Sequence, residues 1–265
     1  MNRRPLLNTL IIILILCLGC RKELYDVPLP SEITKQQREA IGNFINNRIE
    51  DDQENYALIQ QTEQLLPVYR LIQQLYDQVT NVMRLDNKSP SKNQWKEGRQ
   101  WKVHLINSSH QKAFAVPGGD IYLSVGILKA LRTESELYYV MATEAILMNE
   151  KYLLKELVKA YSTRTLVELA ENQGSNDDRV NLIARALPDF NYELELSERI
   201  IGQVTSLICT SSIYNPLVGE SLEKRLRKSD QWLSTRPVGS HNDQIDRCGD
   251  LDSKGYYRTD VLDRL

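Results

Sequence analysis

Residues 113–147 read AFAVPGGDIYLSVGILKALRTESELYYVMATEAIL, and the rest of the chain is organised around them. The stretch predicts a strand made of Ala113, Phe114, Ala115 and Val116, a tight turn at Pro117-Gly118-Gly119, and a second strand from Asp120 to Ser124. A short helical step and a long helix follow. Thr133 is placed to cap the long helix, and Glu136, three residues on, to complete a capping box. The core stripe then runs Leu137, Val140, Met141, Leu147 and Met148, with Glu144 two helical turns beyond Leu137. A carboxylate stands where the pattern asks for an apolar residue.

AFAVPGG, a strand, GILKAL, a T-E-x-E-L helix start and a glutamate within the helix together resemble the gluzincin zinc peptidases of the BepA/HtpX type, a group that includes the CAAX prenyl proteases. The resemblance covers roughly Val68 to Arg247 and is best from Ala113 to Leu137. It implies an α+β, mainly helical zincin-like metallopeptidase fold, with a small antiparallel-type sheet packed by the active-site-type helix. In that family the helix carries H-E-x-x-H. Here the five residues are Thr143, Glu144, Ala145, Ile146 and Leu147, so the glutamate stands and both histidines are gone. Aligning on Gly202 puts Ser197 where the family has its third ligand, with Glu198 one residue off. Tyr214-Asn215-Pro216 resembles the family's Y-D-P, and Leu233-Ser234-Thr235-Arg236-Pro237 resembles S-T-H-P with Arg236 in place of the histidine.

A catalytic zinc needs three protein ligands and an open position for a water whose pKa it lowers to about 7. Thr143 offers a poor oxygen ligand, Leu147 offers none, Ser197 is weak, and Arg236 brings a fixed positive charge. Glu144 keeps the general-base position, idle without an activated water, and a Glu144–Arg236 pair with two parallel hydrogen bonds would keep its charge satisfied. His104, His110 and His241 are far apart and not at ligand spacing. No G-x-S-x-G elbow or Cys-His pairing points to another nucleophile. The expectation is no bound cofactor, with zinc only if the site is atypical.

Residues 1–20 read MNRRPLLNTLIIILILCLGC: a basic start, an apolar run too short to span a bilayer, then Gly19-Cys20. This end resembles a bacterial lipobox, which implies a signal peptide over 1–19 and an acylated Cys20 holding the protein at a membrane surface. Residues 20–32, with Pro28 and Pro30, read as a tether, and 33–265 as a single metallopeptidase-like domain with an N-terminal helical segment. Helices are expected from about Ile33 to Ile49, from there to Leu66, and beyond Pro67 with a stripe of Leu71, Leu75, Val79 and Val82. Trp101 to Asn107 alternates as a strand. The long helix is expected to run on through Tyr152, Leu153 and Leu157 toward Tyr161; Thr163 to Leu187, interrupted at Gly174-Ser175-Asn176-Asp177-Asp178, and Tyr192 to about Ser211 are expected to be helical.

Hydrophobic residues at 42% and charged residues at 26% suit a globular domain, and a net charge of −2 gives no argument for nucleic acid. Cys209 and Cys248 either pair, closing a loop worth about 4 kcal/mol in the chain-entropy picture, or stay as buried thiols. The favoured reading is a non-catalytic pseudo-peptidase anchored in a bacterial envelope, on the periplasmic side of the outer membrane. It would bind polypeptide or an envelope assembly protein, with a chain pairing on the Ala113–Val116 edge. An active zinc metalloendopeptidase with an atypical site, and a structural lipoprotein without ligand, are the alternatives.

Overall fold

The structure is a computed structural model that describes residues 33–54, 56–85, 102–171, 194–196, 198–211, 214–215, 218–226 and 235–237. The signal and tether residues, Cys20, Ser197 and Cys248 lie outside the described residues. Helix α1 (Lys35–Asp51) opens with a complete capping box: Thr34 Oγ1 accepts from the Gln37 amide at 3.2 Å, and Gln37 Oε1 from the Thr34 amide at 2.9 Å. The helix expected up to Leu66 does not form. Residues 57–59 run instead beside the first strand, with Ile59 N donating to Leu105 O at 2.9 Å and Asn107 N to Ala57 O at 2.8 Å. Helix α2 (Leu66–Leu85) then buries Val68, Ile72, Leu75, Tyr76, Val79 and Met83, a stripe turned slightly from the expected one; Leu71 and Val82 sit at its margin.

Strands β1 (Val103–Ile106), β2 (Ala113–Ala115) and β3 (Ile121–Ser124) form a sheet in the order β1-β3-β2. The sheet is mixed, which corrects the antiparallel expectation: β2 and β3 are antiparallel, but β1 lies parallel to β3 on the opposite side. The cause lies in two turns. Gly118 and Gly119, at φ of 104° and 109°, close the tight β2–β3 hairpin, with Val116 N donating to Asp120 O at 2.9 Å. The Ser108–His110 turn, by contrast, packs onto the start of α3 (Val125–Ala130), where Gly126 N donates to Ser108 O at 2.8 Å. That contact carries the chain past the end of β3 to its other side.

Helix α4 (Glu134–Asn149) follows, with Thr133 Oγ1 accepting from the Glu136 amide at 3.2 Å. The Glu136 carboxylate does not return to Thr133. It accepts from the Arg132 amide at 2.6 Å and takes two bonds from the Arg225 guanidinium at 2.9 and 2.8 Å. The capping box is thus half formed, because Arg225 draws the carboxylate aside. Helix α4 stops at Glu150, and Lys151 at φ 56° turns the chain into α5 (Tyr152–Tyr161), so the expected continuous helix is broken. Helix α6 is Thr163–Glu171. Residues Leu194–Leu196 form β4, parallel to β5 (Thr235–Pro237), where continuous helix was expected; helix α7 (Glu198–Ser211) starts after it, and α8 is Val218–Leu226.

Two cores share the sheet. Val103, Leu105, Ala113, Ile121 and Leu123 face α2, α4, α7 and α8, while Ile106, Phe114 and Tyr122 face α1, α5 and α6. The alternation is the two-residue period of a strand buried on both faces. Among the described residues no helix is long and apolar enough to cross a membrane.

The Pro117-Gly118-Gly119 turn is held from two sides. Tyr76 of α2 donates to Gly119 O at 3.0 Å, and Gly42 of α1 lies so close that an added Cβ would stand 1.5 Å from Pro117 O. The obstacle is backbone, which has little room to retreat. Gly42→Ala is therefore expected to destabilise the protein by about 3 kcal/mol or more, and the exposed control Asn47→Ala by less than about 0.5 kcal/mol. Urea denaturation of both variants checks this; equal stability would mean α1 does not dock as described.

Candidate functional site

The helix that carries the T-E-A-I-L sequence is buried on every side, against α2, α5, α7, α8 and β2. Its surroundings decide what each predicted site residue can do. Thr143 is buried and donates its hydroxyl to Tyr139 O at 2.9 Å, the bond a helical threonine makes to the turn before it. Leu147 lies in the main core among α2, α4, α7 and α8. Glu144 is 1% exposed, and its carboxylate acts on Tyr76, whose hydroxyl burial pushes well up, helped by Asp120, Glu144 and Asp77.

These residues do not fit a zinc ion. One ligand position carries a hydroxyl already committed to the backbone, and another carries an alkyl chain packed into the core. Among the described residues no three His, Cys, Asp or Glu side chains gather as a metal would require. Ser197 itself is outside the described residues, but the pairing of β4 with β5 sets Glu195 in register with Arg236, two residues before Ser197. Cys209 in α7 is held in a disulfide, with the predicted partner Cys248 outside the described residues.

The residues Ala113, Phe114 and Ala115 form β2 as expected, and Val116 ends it at the turn. Val116 N donates to Asp120 O, and Ser124 N to Lys112 O at 3.0 Å, so Phe114 exchanges both backbone bonds with Tyr122. The backbone groups of Ala113 and Ala115 then point away from β3. Their methyl groups are buried, and β2 packs against α4.

Beside this edge lies a buried polar group that the sequence reading did not single out. Asp120, directly after the turn, accepts from Asn46 Nδ2 at 2.9 Å and from the Lys102 amide at 3.2 Å, and lies 3.5 Å from His104 Nε2. Asn46 Oδ1 accepts in turn from the Tyr122 hydroxyl at 2.9 Å. His104, Tyr122 and Phe114 stack across the three strands, with centroid separations of 4.7 and 5.0 Å. Local sequence held one usable signal, a carboxylate immediately after a tight turn. Its partners come from α1 and β1 and are distant along the chain.

Together these features define an α+β, mainly helical, metallopeptidase-like domain. Residues 74–192 match the family model of Peptidase family M48. The chain is also 25% identical over 168 residues to the mitochondrial metalloendopeptidase OMA1 of Arabidopsis thaliana, covering 60% of this chain and 34% of that protein. The chain spans about a third of the length of the curated relative it matches.

Burial of tyrosines around this core sets the alkaline limit of the fold. Tyr138, stacked on Tyr214 at 4.1 Å, is pushed up to about 12, chiefly by burial, and Tyr122 is raised further by burial and then by Asp120. A raised folded-state pKa means that the native protein keeps protons which the unfolded chain releases near about pH 10. Their stabilisation is whole below about pH 10 and is lost as pH rises through about 12. Urea midpoints are expected to hold steady up to that onset and then fall, with part of the tyrosinate absorbance at 295 nm appearing only on unfolding. Complete tyrosine ionisation in a protein that is still folded would contradict this burial.

Proposed function

We propose that this chain is an envelope lipoprotein whose M48-type domain binds polypeptide without cleaving it, acting as a holder or adaptor in envelope protein quality control. The observation that carries the reading is the buried T-E-A-I-L turn of α4. Thr143 and Leu147 are committed to backbone bonding and core packing, which leaves Glu144 without a metal-activated water to deprotonate. What remains useful is the rim. Ala115 turns its backbone groups away from β3, and pairing at a sheet edge uses main-chain hydrogen bonds that need no metal and tolerate many side chains.

Anchoring through Cys20, with placement on the periplasmic face of the outer membrane, belongs to the same proposal and rests on the resemblance of residues 1–20 to a lipoprotein signal. The relative's name describes a metalloendopeptidase. This chain departs from that activity at the ligand positions while keeping the fold that would present a polypeptide to them.

The test uses the purified protein after zinc loading and exhaustive buffer exchange, with reduced, carboxymethylated lactalbumin as an unfolded probe. The expected result is zinc far below one per chain and saturable binding of the probe without cleavage. Glu144→Gln should leave that binding unchanged. About one tightly held zinc per chain, with cleavage abolished by Glu144→Gln, would overturn the proposal in favour of an active peptidase.

A further inference from the structure

A recess of about 520 Å³ opens where the segment before β2 meets the end of α3 and the last turn of α8. Gln111, Arg132 and Arg225 supply its polar wall, with Arg132 exposed and Arg225 half-buried, and Ala130, Leu131 and Leu226 supply the apolar one. Lys129 also lines the space but has an interaction of its own, so the site is built without it. No acidic side chain belongs to the lining among the described residues.

The two arginines are not equivalent. Arg225 is matched by Glu136, whose carboxylate it holds at 2.9 and 2.8 Å, and it also covers Ala130 O, the last carbonyl of α3, at 3.2 Å. That pair fixes the wall and cancels its own charge. Arg132 donates its backbone amide to the same carboxylate, but its guanidinium makes no ion pair or hydrogen bond among the described residues. The Gln111 amide likewise has no partner at either end among the described residues. What the recess presents is therefore one uncompensated guanidinium fork, a neutral amide donor and apolar surface.

That combination selects among anions. A carboxylate has two oxygens in one plane, and a single guanidinium fork engages both, which leaves the amide unused. A phosphoryl group has three terminal oxygens around a tetrahedral centre, enough for the fork and the amide together. The volume is far more than the anion needs and falls within the range of about 300–1,000 Å³ typical of small-molecule sites, so the ligand carries an organic group as well. We infer that the recess binds a phosphate ester, its phosphoryl oxygens on Arg132 and Gln111 and its organic group against Leu131 and Leu226. The site makes no use of the β2 edge and is independent of the polypeptide-binding reading above.

The test is calorimetric titration of the full chain with phenyl phosphate, inorganic phosphate and benzoate. Phenyl phosphate is expected to bind saturably at one site and more tightly than either of the others. Arg132→Gln, a surface change, should weaken it roughly tenfold, the effect of one charge-assisted contact, without moving the melting temperature of the unliganded protein. Gln111→Glu, which puts a carboxylate in the recess, should abolish binding, and Arg164→Gln, an exposed arginine of α6 outside the lining, should leave it unchanged. Soluble dihexanoylphosphatidic acid separates the two sources of such a group: tighter binding than phenyl phosphate assigns the site to a lipid phosphate, weaker binding to a soluble ester. Absence of saturable binding by both esters overturns the inference, as do equal affinities for phenyl phosphate and benzoate or an Arg132→Gln protein that binds as well as the parent.

Discussion

Helix α4 meets α2, α5, α7, α8 and β2 and leaves no face to solvent between Ser135 and Leu147, so each polar atom it carries must find its partner inside the protein. Thr143 meets that demand through Tyr139 O, and Glu136 through Arg132 and Arg225. Leu137, Met141 and Leu147 meet it by having no polar atom to satisfy. A zinc site would require two imidazoles and a water on such a helix, and therefore an opening beside it. In this chain the positions that would form that opening are used for packing.

The same constraint reaches the sheet through the Pro117-Gly118-Gly119 turn. Tyr76 grips the turn from α2 and Gly42 meets it from α1, so one tight hairpin registers both helices against the strands. Asp120 then ties Asn46, Lys102 and His104 to the start of β3, and Tyr122 extends the network back to α1. A buried carboxylate tolerated at such a place has to be hydrogen-bonded from several directions. Here the partners come from two separate segments, α1 and the residues at the start of β1, which gives the second core its alignment as well as its polarity.

Metal ligation and pairing at a β-edge are chemically separable, because the two functions draw on different atoms. Ligation needs particular side chains at particular positions; edge pairing needs only extended backbone and its N–H and C=O groups. A domain of this kind can surrender the first without disturbing the second.

Periodicity and turn chemistry alone determined the strand–turn–strand–helix order, the Thr133 cap and the α2 helix, because each depends on residues a few places apart. The chain direction of β1, the break at Lys151, the strand at 194–196 and the diversion of Glu136 to Arg225 were decided only by the tertiary structure. Each turns on a partner far along the chain: β3 for β1, β5 for β4, α8 for Glu136. Even α4, read as amphipathic, proved buried all round. Local sequence records which faces of a helix are apolar, but the number of neighbours that cover them is settled only when the elements pack.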